Sequence, residues 1–139
     1  MLTVETNDPV DLDFPARPEY LADVRKAVKR VAERTSLDHA AVDDLLTAAD
    51  EAVANAIRHG SPRGEHSQVH VTCRWRPDSL TVEVQDQGTG FMAPKAPAMP
   101  GPEATGGRGL PLMCALSDTV QIESTPKGTR ITLKKASRT

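Results

Sequence analysis

The sequence predicts an α+β domain built as a two-layer α/β sandwich, a mostly antiparallel mixed sheet with helices on one face. Three observations carry that prediction. Two stretches with a helical apolar period lie in the first half of the chain, two pairs of alternating stretches follow, and a segment rich in proline and glycine separates the pairs. At 139 residues the chain has room for one domain, read here as residues 1–139. Aromatic residues make up only 3%, so Val, Leu, Ile and Ala must fill the core.

Val10-Asp11-Leu12-Asp13-Phe14 alternates as a half-buried strand does, and Pro15 and Pro18 then punctuate the chain. From Glu19 to Arg34, Leu21, Val24, Val28 and Val31 recur at three- and four-residue spacing and form one apolar stripe. The other faces of this helix are basic, with Arg17, Arg25, Lys26, Lys29, Arg30 and Arg34 against Glu19, Asp23 and Glu33. Such a face is either simply solvated or a surface for a partner. Ser36 or Asp38 caps a second helix that runs to His59, where Gly60-Ser61-Pro62 stops it. Val42, Leu45, Leu46, Ala49, Ala52, Val53, Ala56 and Ile57 share its core arc, while Glu51, Asn55 and His59, at i, i+4 and i+8, line another side.

Gln68–Arg76 and Leu80–Asp86 alternate around Pro77-Asp78-Ser79 and read as an antiparallel hairpin. Val69, Val71, Cys73 and Trp75 share one face of the first strand; Leu80, Val82 and Val84 share a face of the second, and Asp86 has their parity. An inward carboxylate needs a hydrogen-bonding partner, because uncompensated buried charge costs several kcal/mol. Gln87–Thr105 holds too much proline and glycine for a helix or central strand and reads as a long loop. Gly106-Gly107-Arg108-Gly109 then opens a short helix through Leu112, Met113 and Leu116, in whose first turn Pro111 is tolerated. Thr119–Ser124 and Thr129–Lys134 close the domain as a hairpin around Pro126-Lys127-Gly128, before a frayed tail over Ala136–Thr139.

Lys+Arg 17 against Asp+Glu 19 leaves a formal charge of -2, which argues against DNA or RNA as a direct partner. No apolar run approaches the roughly 18 residues of a membrane span, and the first residues lack the order of a signal peptide, so a cytoplasmic protein is expected. Cys73 and Cys114 lie far apart with no Cys-x-x-Cys pair and read as free, buried thiols.

Gly88-Thr89-Gly90 and Gly106-Gly107-Arg108-Gly109 flank the long loop, and the second leads into a helix N-terminus. Backbone N–H groups freed by glycine, with the positive end of a helix dipole, can cradle phosphate without lysine. Gly88 to Ala93 also fits a dinucleotide fingerprint but runs into the proline-rich loop instead of opening a helix, and no Walker-type loop is present. An inward Asp86 suits adenine, whose exocyclic amine donates where guanine presents a carbonyl. Asn55 offers an amide oxygen to Mg²⁺, a hard cation that keeps water and phosphate in its shell. Glu51, one turn away, is placed to orient a hydroxyl and take its proton late in phosphoryl transfer.

Taken in order, Glu51-Ala-Val-Ala-Asn55-Ala-Ile-Arg-His59-Gly60, Asp86-Gln-Gly88-Thr-Gly90, Gly107-Arg-Gly109-Leu110 and Gly128-Thr129 resemble the nucleotide-binding boxes of the GHKL, or Bergerat-fold, ATPases. The small size and the Glu-x-x-x-Asn-x-x-x-His-Gly form are similar to the bacterial anti-sigma-factor serine kinases of the RsbW type, over about Pro18 to Leu133. The resemblance implies an ATP-dependent serine/threonine kinase that holds a sigma factor inactive, phosphorylates a small anti-anti-sigma antagonist and commonly forms a homodimer. It implies Glu51 as catalytic base, Asn55 as Mg²⁺ ligand and Asp86 as adenine contact, with Thr129 supporting the adenine end. Gly88, Gly90, Gly107 and Gly109 fall on the nucleotide loops and His59 and Leu110 within the same boxes; Arg108 or Lys95 could reach the phosphates in place of an arginine that some relatives carry nearby. Arg25 matches a position that contacts sigma factor or antagonist. The Met92–Thr105 loop is richer in proline and alanine than the pattern, and Thr105 stands where some relatives carry arginine. Two alternatives stay open: a nucleotide-sensing partner-binding module without kinase activity, and, less favoured for lack of a phosphoacceptor helix pair before Pro18, the catalytic piece of a sensor histidine kinase.

Overall fold

The computed structural model describes residues 9–59, 64–87, 109–126 and 128–137. Strand β1 (Val10–Pro15) leads through one 3-10 turn (Pro18–Tyr20) into α1 (Leu21–Ala32) and α2 (His39–His59). The hairpin β2 (Gln68–Arg76) and β3 (Ser79–Gln85) follows, then α3 (Gly109–Leu116), β4 (Thr119–Thr125) and β5 (Gly128–Ala136). The strands form one sheet in the order β1-β2-β3-β5-β4, and each of its described pairings is antiparallel. The α+β sandwich is thus as the sequence predicts, with its strand pairing narrower than a mixed sheet.

The period of each element decides which face it buries. On α1, Val24, Val28 and Val31 are buried, and on α2 so are Leu45, Leu46, Ala49, Ala52, Val53 and Ala56, while Val42 and Ile57 at the margins of that arc are half-buried. From the sheet, Val69, Val71, Cys73, Leu80, Val82, Val84 and Leu133 meet them. Each fully buried Leu or Val side chain favours the fold by roughly 1.5–3 kcal/mol before entropy is counted. Small residues on α2 let it lie close to the sheet while also packing on α1 and α3.

Of the two candidate caps, Asp38 is the one used: its Oδ1 accepts from Ala41 N at 2.8 Å. A cap of this kind stabilises a helix by about 1 kcal/mol. The β2–β3 turn is tied down from outside, since Ser36 N donates to Pro77 O (2.7 Å) and Ser137 N to Asp78 O (2.7 Å). Lys135 is buried at 6% exposure, an unusual state for lysine, and Nζ donates to Leu116 O at 3.1 Å and to Asp44 Oδ2 at 3.3 Å. It binds β5 to the C-terminus of α3 and to α2, where a cation also favours the helix dipole.

Both cysteines are free, as expected, but only Cys73 is buried; its thiol is pushed up to about 11 by burial. Cys114 is exposed, contrary to expectation. On α3 the neighbouring Met113 takes the core position, and a helix turns its next residue about 100° away.

Candidate functional site

Asp86 lies one residue beyond β3, turned inward and only 8% exposed. Its N–H donates to Thr129 O at 2.9 Å, and Thr129 N donates to its Oδ1 at 2.9 Å. The carboxylate that parity turns toward the core therefore has the partner that burial demands, and it comes from the second residue of β5. This reciprocal pair fixes both the backbone and the side chain of Asp86.

Gly128 makes the arrangement possible. Its φ of +144° is one that side chains rarely adopt, and a Cβ there would overlap the Asp86 carbonyl, 2.8 Å from its carbon and 3.1 Å from Oδ1. Sequence reasoning recognised Gly128 only as part of a turn and a box. The signal for its packing role is the glycine directly before Thr129, but the residue it abuts lies 42 positions away in the chain.

On α2, Glu51 and Asn55 are half-buried and His59 is exposed at the last helical position. The continuous helix over His39–His59 stacks the three at four-residue intervals, as their spacing predicts. Asn55 Oδ1 accepts from Arg58 Nη2 at 3.2 Å, so the amide oxygen offered to a cation already faces a guanidinium one turn on. Sequence reasoning missed Arg58, although its i+3 spacing was readable. The donor set fits Mg²⁺ in one particular way: among the described residues no group of three or more His, Cys, Asp or Glu can hold a metal. An amide oxygen beside a single carboxylate suits a cation that keeps phosphate and water as its other ligands.

Gly109 begins α3, and Leu110 packs half-buried against the core. Gly88, Gly90, Gly107 and Arg108, together with the proline-rich loop, lie outside the described residues. α2 contacts α3, β3 and β5 alike, so one helix bears on every described part of the site.

Arg25 is exposed on α1, and its guanidinium is hydrogen-bonded to Asp50 of α2, the neighbour of Glu51. Desolvation raises the Asp50 carboxyl above its ordinary range, the Arg25 charge opposing it. Its Oδ1 is buried without a partner among the described residues. The predicted partner-facing arginine is thus also a link between the basic helix and the helix that carries Glu51. Nothing local signals the pairing, because 25 residues separate the two.

The sequence profile of the histidine kinase-like ATPase domain family matches residues 14–135. Among curated proteins, the chain is 32% identical over 131 residues to the serine-protein kinase RsbW of Bacillus pumilus, covering 86% of this chain and 81% of that one. It is 33% identical over 85 residues to RsbW of Listeria innocua, covering 61% of this chain but about half, 54%, of the relative. Among solved structures, the RsbU and RsbW domains of Rv1364c from Mycobacterium tuberculosis superpose with a TM-score of 0.66 at 21% identity, over 95% of this chain and 33% of that one. The histidine kinase domain of a blue-light-activated histidine kinase from Erythrobacter litoralis gives 0.55 at 17%, over 88% and 61%. These structures share the fold. The chain belongs to the histidine kinase-like ATPase domain family and, within it, to the RsbW-type serine-protein kinases.

Proposed function

We propose that this protein is an ATP-dependent serine/threonine kinase that acts as an anti-sigma factor, sequestering a sigma factor and phosphorylating an anti-anti-sigma antagonist. The observation that carries this reading is the buried Asp86 carboxylate, locked to Thr129 with Gly128 packed against it, at the position where an adenine reader is needed. Fixed by the Thr129 N–H, the acid offers acceptor capacity toward an exocyclic amine, and guanine in the same pose would present a carbonyl to it. Glu51 holds the acceptor hydroxyl in line and takes its proton as the bond to phosphorus forms. Asn55 would hold Mg²⁺ after Arg58 swings aside; when bound, the cation neutralises charge on the transferred phosphoryl group. Gly88, Gly90, Gly107, Gly109 and Arg108 serve the phosphates, with His59 and Leu110 beside them. Arg25 contacts the protein partners.

A homodimer working in the cytoplasm, as a single domain, completes the reading. Among the described residues no helix is long and apolar enough to cross a membrane. The test is transfer of label from γ-labelled ATP with Mg²⁺ to a candidate antagonist. Labelled antagonist with wild-type protein, reduced at least a hundredfold by Glu51→Ala while nucleotide still binds, is the expected result. Nucleotide binding without any labelling would leave a sensing module in place of a kinase.

A further inference from the structure

The open face of the sheet gathers positive charge at the end remote from Asp86. Arg74 pairs with Thr81, and Thr81 with Lys134, so the three form one row across β2, β3 and β5; Arg76 pairs with Ser79 in the next row. These five residues, with Pro9 and Trp75, line a depression of about 330 Å³. Thr81 is five residues from Asp86, about 17 Å along the strand, and has the opposite parity. The depression is therefore separate from the nucleotide site in both position and face.

Elsewhere on β5 the cations are matched, Arg130 by Glu123 and Lys135 by Asp44. Among the described residues Arg74, Arg76 and Lys134 have no such ion pair. Of the carboxylates one row away, Asp11 accepts from Thr72 Oγ1 at 2.7 Å and meets His70 Nε2 at 3.1 Å, Arg74 adding only a field, while Glu83 has no ion pair among the described residues and exerts its field on Arg130. Trp75, which also lines the hollow, has the opposite parity: its ring packs against the core with Arg34 over it at 5.8 Å. Three cations and two hydroxyls around one hollow are short of an acceptor-rich anion.

We propose that this depression binds a phosphomonoester group. Such a group carries a charge of about -1.5 to -2 at neutral pH and three acceptor oxygens, which suits two planar arginine forks and a lysine. The volume lies near the low end of the roughly 300–1,000 Å³ typical of ligand sites and admits the phosphate and its ester carbons. The phosphate is either that of a small molecule or that of a phosphorylated side chain.

Binding heat is followed in a calorimeter while inorganic phosphate, or a phosphoserine peptide with its unphosphorylated twin as control, is added to the full chain at constant ionic strength. Saturation is expected, with Arg74→Gln/Arg76→Gln weakening it at least tenfold and Asp86→Asn leaving it unchanged. Lys134→Gln provides a milder second variant should the double one lose its fold. Tighter saturation by the phosphopeptide assigns the site to a modified protein, and tighter saturation by inorganic phosphate to a small ligand. No saturation by either, or the same midpoint in the arginine variants, would overturn the proposal.

Discussion

The two faces of the sheet treat charge in opposite ways. Behind the helices, Asp86 is enclosed, its backbone and carboxylate are both bonded to Thr129, and Gly128 leaves it no room to shift. On the open face, His70 sits between Asp13 (Nδ1 to Oδ1, 2.5 Å) and Asp11, all three exposed to water by a third or more. Enclosed charge is held by geometry and fails when the geometry fails; exposed charge is held by exchangeable pairs and adjusts to pH and ligands. A reader of one purine base belongs on the first kind of surface, and an adaptable contact surface on the second.

The contrast breaks most severely at Gly128. Gly128→Ala forces a methyl into the Asp86 carbonyl at a strained φ and is expected to lower the unfolding free energy in urea by about 3 kcal/mol. Asp86→Ala leaves Thr129 N–H without its acceptor and should cost about 1–3 kcal/mol in the same measurement. Asp86→Asn keeps an oxygen for Thr129 N and nearly all the stability, so it separates the structural duty of this carboxylate from its proposed duty toward the base.

On the open face the effects are smaller and follow pH. The hydrogen bond to Asp13 raises the His70 pKa above its ordinary 6.5. The stability this contributes is complete below 6.5 and is lost as pH rises through the elevated folded value. Protection factors of the β1 amides, which divide out the intrinsic base-catalysed rise in exchange, should therefore fall from about pH 6 to pH 8 in wild type and show no such fall in His70→Gln. Asp11 is held below its ordinary 3.8 chiefly by the Thr72 hydroxyl, so its contribution is present above 3.8 and lost only as pH falls through its lowered value, outside that window. The smallest effect is expected from Arg58→Gln: release of Asn55 Oδ1 should lower the Mg²⁺ concentration needed for half-maximal nucleotide binding a few-fold, and no change would detach Arg58 from the cation position.

The sequence announces what depends on period and parity. The apolar arcs of α1 and α2, both hairpins and the inward turn of Asp86 follow from spacing alone, with strand ends moving by a residue or two at Pro15, Ser79, Gly128 and Ala136. It does not announce pairings made by tertiary register. Thr129 meets Asp86 across 43 positions and Asp50 meets Arg25 across 25, and no local propensity encodes either. The exposure of Cys114 escapes the sequence for a related reason: in an apolar two-turn helix, composition cannot say which residue faces in until the neighbouring helix is placed.

The most direct measurement titrates ATP and GTP, each with Mg²⁺, into wild-type protein and Asp86→Asn in a calorimeter. Wild type is expected to bind ATP at least ten times more tightly than GTP, and the variant to stay folded but lose most of its ATP affinity and most of that preference. Equal ATP affinity in the two proteins, or no preference for adenine in the wild type, would contradict this expectation.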